Sequence, residues 1–240
     1  AVENHRRAEN STEAVNWRKE AERRLSSYRH DLNKKILDEF HDAGIENVTL
    51  SDVESYSPFH WVLEFAPVYA QGGFNIITGN PPWEVLKADS DDFFSKYDEK
   101  FRTRMPDDKK SAKQELLEDE GIAAEWEEYQ EQMEIRSEYF KKSDEYKLQH
   151  PTVAGRSAGN EKELSALFLE RCFELGGDDA KIAKILPGII FSGKLGKDLR
   201  MHLLNECSLQ IMPTFENRGI FEDIDNRFKF GIVVFENSGD

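Results

Sequence analysis

Apolar residues recur at Trp17, Ala21, Leu25, Tyr28, Leu32, Ile36 and Phe40, in steps of three and four that lay one stripe along a helix. The spacing predicts a single long amphipathic helix over 12–40. Gly44 is its natural stop, because glycine enters the left-handed conformation that ends helices without a Cβ penalty. Residues 45–50 read as a short strand. Ser57-Pro58 opens a second helix, with Trp61, Phe65 and Val68 on one face and Gly72-Gly73 at its end. Phe74, Ile76 and Ile77 then form a β-branched and aromatic run that Gly79 closes, the pattern of a buried strand.

After Trp83 the pattern changes. Residues 84–150 hold 20 acidic and 12 basic side chains, and the apolar positions thin to a helical stripe through Ile122, Trp126, Tyr129, Met133 and Phe140. This predicts a charged helical insertion whose stripe packs on itself, punctuated by Pro106 and Pro151, with a flexible return loop over 152–159. Globular patterning resumes at Asn160, an expected N-cap, with Leu164, Leu167, Phe168, Cys172 and Leu175 as the buried helix face before Gly176-Gly177. A strand over 182–186, a helix over 197–207 and strands over 209–215 and 228–235 follow. Strands alternating with helices predict an α/β fold with a mostly parallel sheet.

Composition bounds the chemistry. The 240 residues carry 38% hydrophobic side chains, enough for a proper core, with a formal net charge of −15. An acidic total argues against extended phosphate binding, which rests on Lys and Arg, but it leaves a local patch open and also fits a high-salt source. Two cysteines, Cys172 and Cys207, fall in apolar contexts and are expected as reduced, buried thiols, which points to a cytoplasmic protein. No apolar run reaches the length of a membrane span, so no membrane partner is expected. The six histidines show no metal-ligand spacing. Gly188 to Lys194 matches most of a P-loop. Leu195 replaces the magnesium-ligating hydroxyl, however, and Ile189, Ile190 and Phe191 crowd the cradle, so a strand-end turn is expected.

The candidate chemistry sits in Asn80-Pro81-Pro82-Trp83. Asn80 offers an amide oxygen, while Pro81 and Pro82 offer carbonyls without N–H donors on a backbone whose φ angles are locked. The Asn80 and Pro81 oxygens can each accept one N–H of a planar primary amine, and Trp83 can stack on the ring that carries it, a contact worth about 1–3 kcal/mol. The alternative is an ordinary Pro-Pro turn with Trp83 as a rim residue.

Asn-Pro-Pro-Trp after Phe74-Asn75-Ile76-Ile77-Thr78-Gly79 resembles the catalytic motif of S-adenosylmethionine-dependent adenine-N6 DNA methyltransferases. Phe59-His60-Trp61, Glu64-Phe65 and Gly72-Gly73-Phe74 resemble the lead-in of the large methylases of restriction-modification and phage-defence systems. So does the later order of 160–175, Ile185 to Gly188, Leu199-Arg200, Leu203-Leu204, Phe215 to Asn217, Ile220-Phe221 and 228–235. The likeness covers about 58–87 and 160–237. It implies a partial Rossmann-like methyltransferase core over 58–87 and 160–240, a segment 1–57 built on the long N-terminal helix, and an insertion over 88–159. It also implies that an adenine flipped out of double-stranded DNA has its amine held by Asn80 and Pro81, on the turn that Pro82 stiffens, between Trp83 and Phe221. Phe221 read alone could equally be a core residue beside Ile220.

The family binds S-adenosylmethionine through a glycine-rich loop, and no such cluster precedes Phe59. The chain is therefore expected to be part of a larger parent polypeptide, binding the cofactor weakly or not at all by itself. Two alternatives stay open: the same chemistry on an RNA base or a protein glutamine, and a non-catalytic DNA-positioning module.

Overall fold

The long stripe forms α1, Ser11–Asp42, a helix of 32 residues. Its end is a Schellman motif: Gly44 at φ +75° donates to the His41 carbonyl at 2.8 Å, and Ile45 to the Phe40 carbonyl at 3.0 Å. Phe40 and Ile45 are both buried at that turn. The computed structural model describes residues 11–157, 162–222 and 224–237. Asn160, the expected N-cap, lies outside the described residues. Two units divide between Phe74 and Asn75.

In the first unit the strand expected over 45–50 does not form. Thr49 instead caps α2, Leu50–Ser55, through a capping box in which its side chain accepts from the Asp52 amide while the Asp52 carboxylate accepts from the Thr49 amide. The single helix expected after Ser57-Pro58 is two one-turn helices, α3 Trp61–Glu64 and α4 Ala66–Tyr69. Pro67 explains the break, because it has no N–H to donate back to residue 63 and its ring crowds that carbonyl. Trp61 and Phe65 stack at 5.7 Å, and Phe74 meets both rings edge-on. His60 is buried, with Nε2 at 2.6 Å from Asn33 Oδ1, and serves packing rather than capping.

The second unit is built on an open sheet. β1, Phe74–Gly79, leads the order β1-β4-β7-β5, where β4 is Gly176–Pro187, β5 Ser208–Ile211 and β7 Lys229–Glu236. β6, Thr214–Glu216, also pairs with β7. The expected strand over 209–215 is thus split in two where Pro213 interrupts it, as a residue without an N–H must.

The expectation of a mostly parallel sheet is corrected here. β7 runs antiparallel to β4 from Lys181↔Glu236 to Pro187↔Phe230, and antiparallel to β5 and β6 as well. The cause lies in the connection. Among the described residues between β6 and β7 there is no helix, and the chain turns straight back, whereas a parallel partner would need a crossover. β4 and β5 still point the same way, and β7 is inserted between them.

Helix α8, Leu164–Leu175, with α9, Gly188–Ser192, and α10, Lys197–Asn205, covers the sheet. Ala166, Leu169 and Cys172 of α8, Leu199 and Leu203 of α10, and Ile182, Leu186, Val233 and Phe235 of the sheet form one core. A Cβ on Gly231 would sit 2.5 Å from Phe191 Cζ and 2.8 Å from the Pro213 carbonyl oxygen. Gly231→Ala should therefore destabilise by about 1–3 kcal/mol, an overpacking cost read by denaturant unfolding. An unchanged midpoint would contradict the packing described.

The insertion holds α5, Ser90–Phe94, α6, Pro106–Leu116, and α7, Glu120–Lys142. The first part of its stripe packs within the insertion: Trp126 joins Phe93, Phe94 and Phe101, with Ile122 and Tyr129 against them. The return loop is a tight hairpin, with β2, Thr152–Val153, paired to β3, Arg156–Ser157, around Ala154 and Gly155 at positive φ. The insertion's two ends are clasped. Leu86 donates to the Lys162 carbonyl at 2.7 Å and Leu164 to the Glu84 carbonyl at 3.0 Å, around a bridge between Val85 and Glu163. Below the clasp the buried Lys162 ammonium donates to the Gln149 carbonyl, and the Glu170 carboxylate accepts from the Leu148 amide and Gln149 Nε2, each at 2.8 Å. Burial pushes the Glu170 carboxyl up and the Lys162 ammonium down. The excursion thus returns to where it left, so α8 starts beside the strand-end turn.

Candidate functional site

Asn80 to Trp83 leave the end of β1 as an irregular turn. Pro81 is buried, Trp83 half-buried, and Asn80 and Pro82 are exposed. The Trp83 indole Nε1–H donates to Asn80 Oδ1 at 2.9 Å. The amide oxygen is therefore aimed along the edge of the indole, beside the face on which a ring would stack. Trp83 stacks on Phe228 at 6.2 Å and 14° and on Phe230 at 6.3 Å and 26°. It meets Phe221 at 5.1 Å and 71°, edge to face. Pairs of this kind contribute about 0.5–1.5 kcal/mol each beyond their area.

Asn80, Pro81, Pro82, Trp83 and Phe221 thus come together, although the insertion and most of the sheet separate them in sequence. Phe221 is half-buried at the rim, not a closed core residue, and contacts Phe230 at 5.2 Å. Phe228 and Phe230 were visible only as residues of a strand, since nothing in a period-two pattern says which neighbour an aromatic meets.

Asn217 was the residue that sequence reasoning missed. It is fully buried. Its Nδ2 donates to the Phe221 carbonyl at 2.9 Å and the Ile224 carbonyl at 2.7 Å, with the Asp225 carbonyl at 3.5 Å, and its Oδ1 accepts from the Phe221 amide at 2.8 Å. Its own amide donates to the Phe228 carbonyl at 2.8 Å, closing the mouth of the loop. The available signal was an Asn two residues before a Gly between two strands, which marks a turn but not a buried carboxamide.

The remaining candidates carry structure. Gly188 to Ser192 form α9, and Cβ atoms on Gly193 and Gly196 would fall 2.5 and 2.2 Å from the Ile189 and Ile190 carbonyl oxygens. Arg200 fills the same place, donating to the Ile190 and Gly193 carbonyls at 2.6 and 2.9 Å. These glycines serve close packing, and where a strand-end turn was expected the segment forms the short helix α9 directly after β4. Burial pushes the Cys172 thiol up and that of Cys207 up to about 11, so both stay protonated and unreactive near neutral pH. Among the described residues no helix is long and apolar enough to cross a membrane.

What the arrangement can do follows from its parts. An amide oxygen on an exposed residue, a turn stiffened by two prolines and two neighbouring aromatic rings, once the rings part, can hold a flat ring and accept from an amine on its edge. Compared with known proteins, the chain matches no family model, no curated protein and no solved structure.

Proposed function

We propose that this chain carries the target-base half of an S-adenosylmethionine-dependent adenine-N6 DNA methyltransferase of the restriction-modification or phage-defence type. One observation carries the reading: Trp83, on the Asn-Pro-Pro-Trp turn, and Phe221, from the distant loop before β7, meet edge to face at 5.1 Å beside the Asn80 amide. The sequence order alone required no such meeting.

In this reading the adenine leaves the duplex, at a cost of a few kcal/mol, and its ring stacks on Trp83 with Phe221 opposite. The Asn80 and Pro81 oxygens accept the two amine N–H groups, which localises the nitrogen lone pair and needs no separate base. S-adenosylmethionine supplies the methyl group. No glycine-rich cluster precedes Phe59 in the sequence, so in this reading that part of the site belongs to a larger parent polypeptide. β1 leaves a place for such a segment, since it ends the sheet order and its Ile76 is 70% exposed, an apolar edge of the kind that proteins normally cover.

The test is methyl transfer from radiolabelled S-adenosylmethionine to duplex DNA by the parent polypeptide, with the product nucleosides separated. Label in N6-methyladenine is expected. Label confined to RNA or to protein glutamine would overturn the substrate class, and duplex binding with no transfer to any acceptor would favour a positioning module.

A further inference from the structure

We propose that Asn217 is a positioning residue for this site, holding Phe221 at the height and tilt that let its ring face a planar base on Trp83; this rests on the adenine reading above. Among its described residues the loop between β6 and β7 has no helix or strand of its own to fix it. In place of a ladder, one buried carboxamide satisfies the loop's inward-facing backbone. Oδ1 takes the Phe221 N–H, Nδ2 takes the Phe221 and Ile224 carbonyls, and the Asn217 amide ties the loop start to the Phe228 carbonyl.

Two of these bonds, at 2.8 and 2.9 Å, hold the two peptide groups on either side of the Phe221 Cα. That fixes where the side chain leaves the loop. Most neighbours of Phe221 in the loop, including Arg218, Ile220 and Arg227, are exposed, whereas Phe221 is turned toward Trp83.

No other side chain fits the role. Aspartate keeps the acceptor but places a carboxylate against two carbonyl oxygens, and glutamine carries the amide one methylene too far. Alanine leaves the Phe221 amide and two carbonyls without partners.

The experiment compares binding of two labelled duplexes of the same sequence, one fully paired and one with a single unpaired, bulged adenine. The preference for the bulge measures the base slot apart from backbone affinity. The wild-type chain should prefer the bulge by about tenfold, the scale of one base stacked on an aromatic ring. Asn217→Ala and Asn217→Asp should bring that preference close to one while leaving paired-duplex affinity and β7 amide protection unchanged. Phe221→Ala should do the same, and Asn217→Ala added to Phe221→Ala should cost nothing more.

Several outcomes overturn the proposal. Asn217→Ala that keeps the wild-type preference does so, as does a second loss in the double variant, or a parallel fall in paired-duplex affinity and β7 protection that marks general unfolding. A wild-type preference of one would instead overturn the adenine reading itself, and this inference with it.

Discussion

Asn80→Ala should abolish detectable methyl transfer by the parent polypeptide while duplex binding persists within about threefold. The loss of one positioned hydrogen-bond group at a reacting centre costs on the order of 10²–10³ in rate. Here the group is half of the amine clamp, since only the Pro81 carbonyl would remain. The fold should not suffer. Asn80 is exposed, and the side-chain bond seen for it is the one it accepts from Trp83 Nε1, so a stability change within about 0.5 kcal/mol is expected. Asn80→Asp tests the assignment from the other side. It retains an acceptor oxygen at the same reach and should recover much of the rate lost in the alanine variant. Full activity of Asn80→Ala would sink the catalytic assignment, and joint loss of transfer and duplex binding would make Asn80 a DNA contact instead.

The pieces of this site differ in how far sequence reveals them. A helix such as α1 or α8 declares itself through its apolar period and its glycine stop, because both depend on neighbours within a few residues. β7 was visible as a strand, but its direction was not. Period two is the same for parallel and antiparallel ladders, and the direction is set by whether the preceding connection crosses over. The β-branched Ile45, Val48 and Thr49 suit a strand over 45–50, but Thr49-x-x-Asp52 caps a helix instead. The helix expected after Ser57-Pro58 is broken by Pro67. The turn Asn80 to Trp83 stood out by its chemistry, whereas its partner Phe221 came only through resemblance, since an aromatic before a strand is ambiguous by itself. Asn217 was hidden for a deeper reason. A buried polar side chain that organises a loop leaves no periodic trace, because its partners are backbone groups present at every position.

Trp83→Ala should remove most of the preference for a bulged adenine over paired DNA, and Trp83→Phe should not. The distinction comes from two opposing roles of one residue. Its face supplies the stacking surface, worth about 1–3 kcal/mol, or fivefold to more than a hundredfold in affinity. Its indole N–H meanwhile holds the ring on Asn80, and the ring meets Phe221 edge-on at 5.1 Å. A base between two flat rings needs contacts of about 3.5 Å on each side, so about 7 Å between the rings. The site as folded is therefore closed. Either Trp83 or Phe221 must move, and since Asn217 ties down the backbone of Phe221 while Trp83 is held by one exposed hydrogen bond and by ring contacts to Phe228 and Phe230 along which it can slide, Trp83 is the ring that swings. Breaking that bond costs about 0.5–1.5 kcal/mol, a twofold to tenfold burden on binding. Phenylalanine keeps a flat ring and removes the bond, so its smaller stacking area is offset by easier opening and its bulge preference should stay within a few-fold of wild type. The free protein offers an independent reading. The Trp83 indole proton, identified by its disappearance in Trp83→Phe, should exchange slowly with solvent and should quicken in Asn80→Ala. If Trp83→Phe is as damaging as Trp83→Ala, the indole N–H works in the bound state and the swing described is wrong. If Asn80→Ala leaves the exchange of that proton unchanged, the closing bond does not hold the ring.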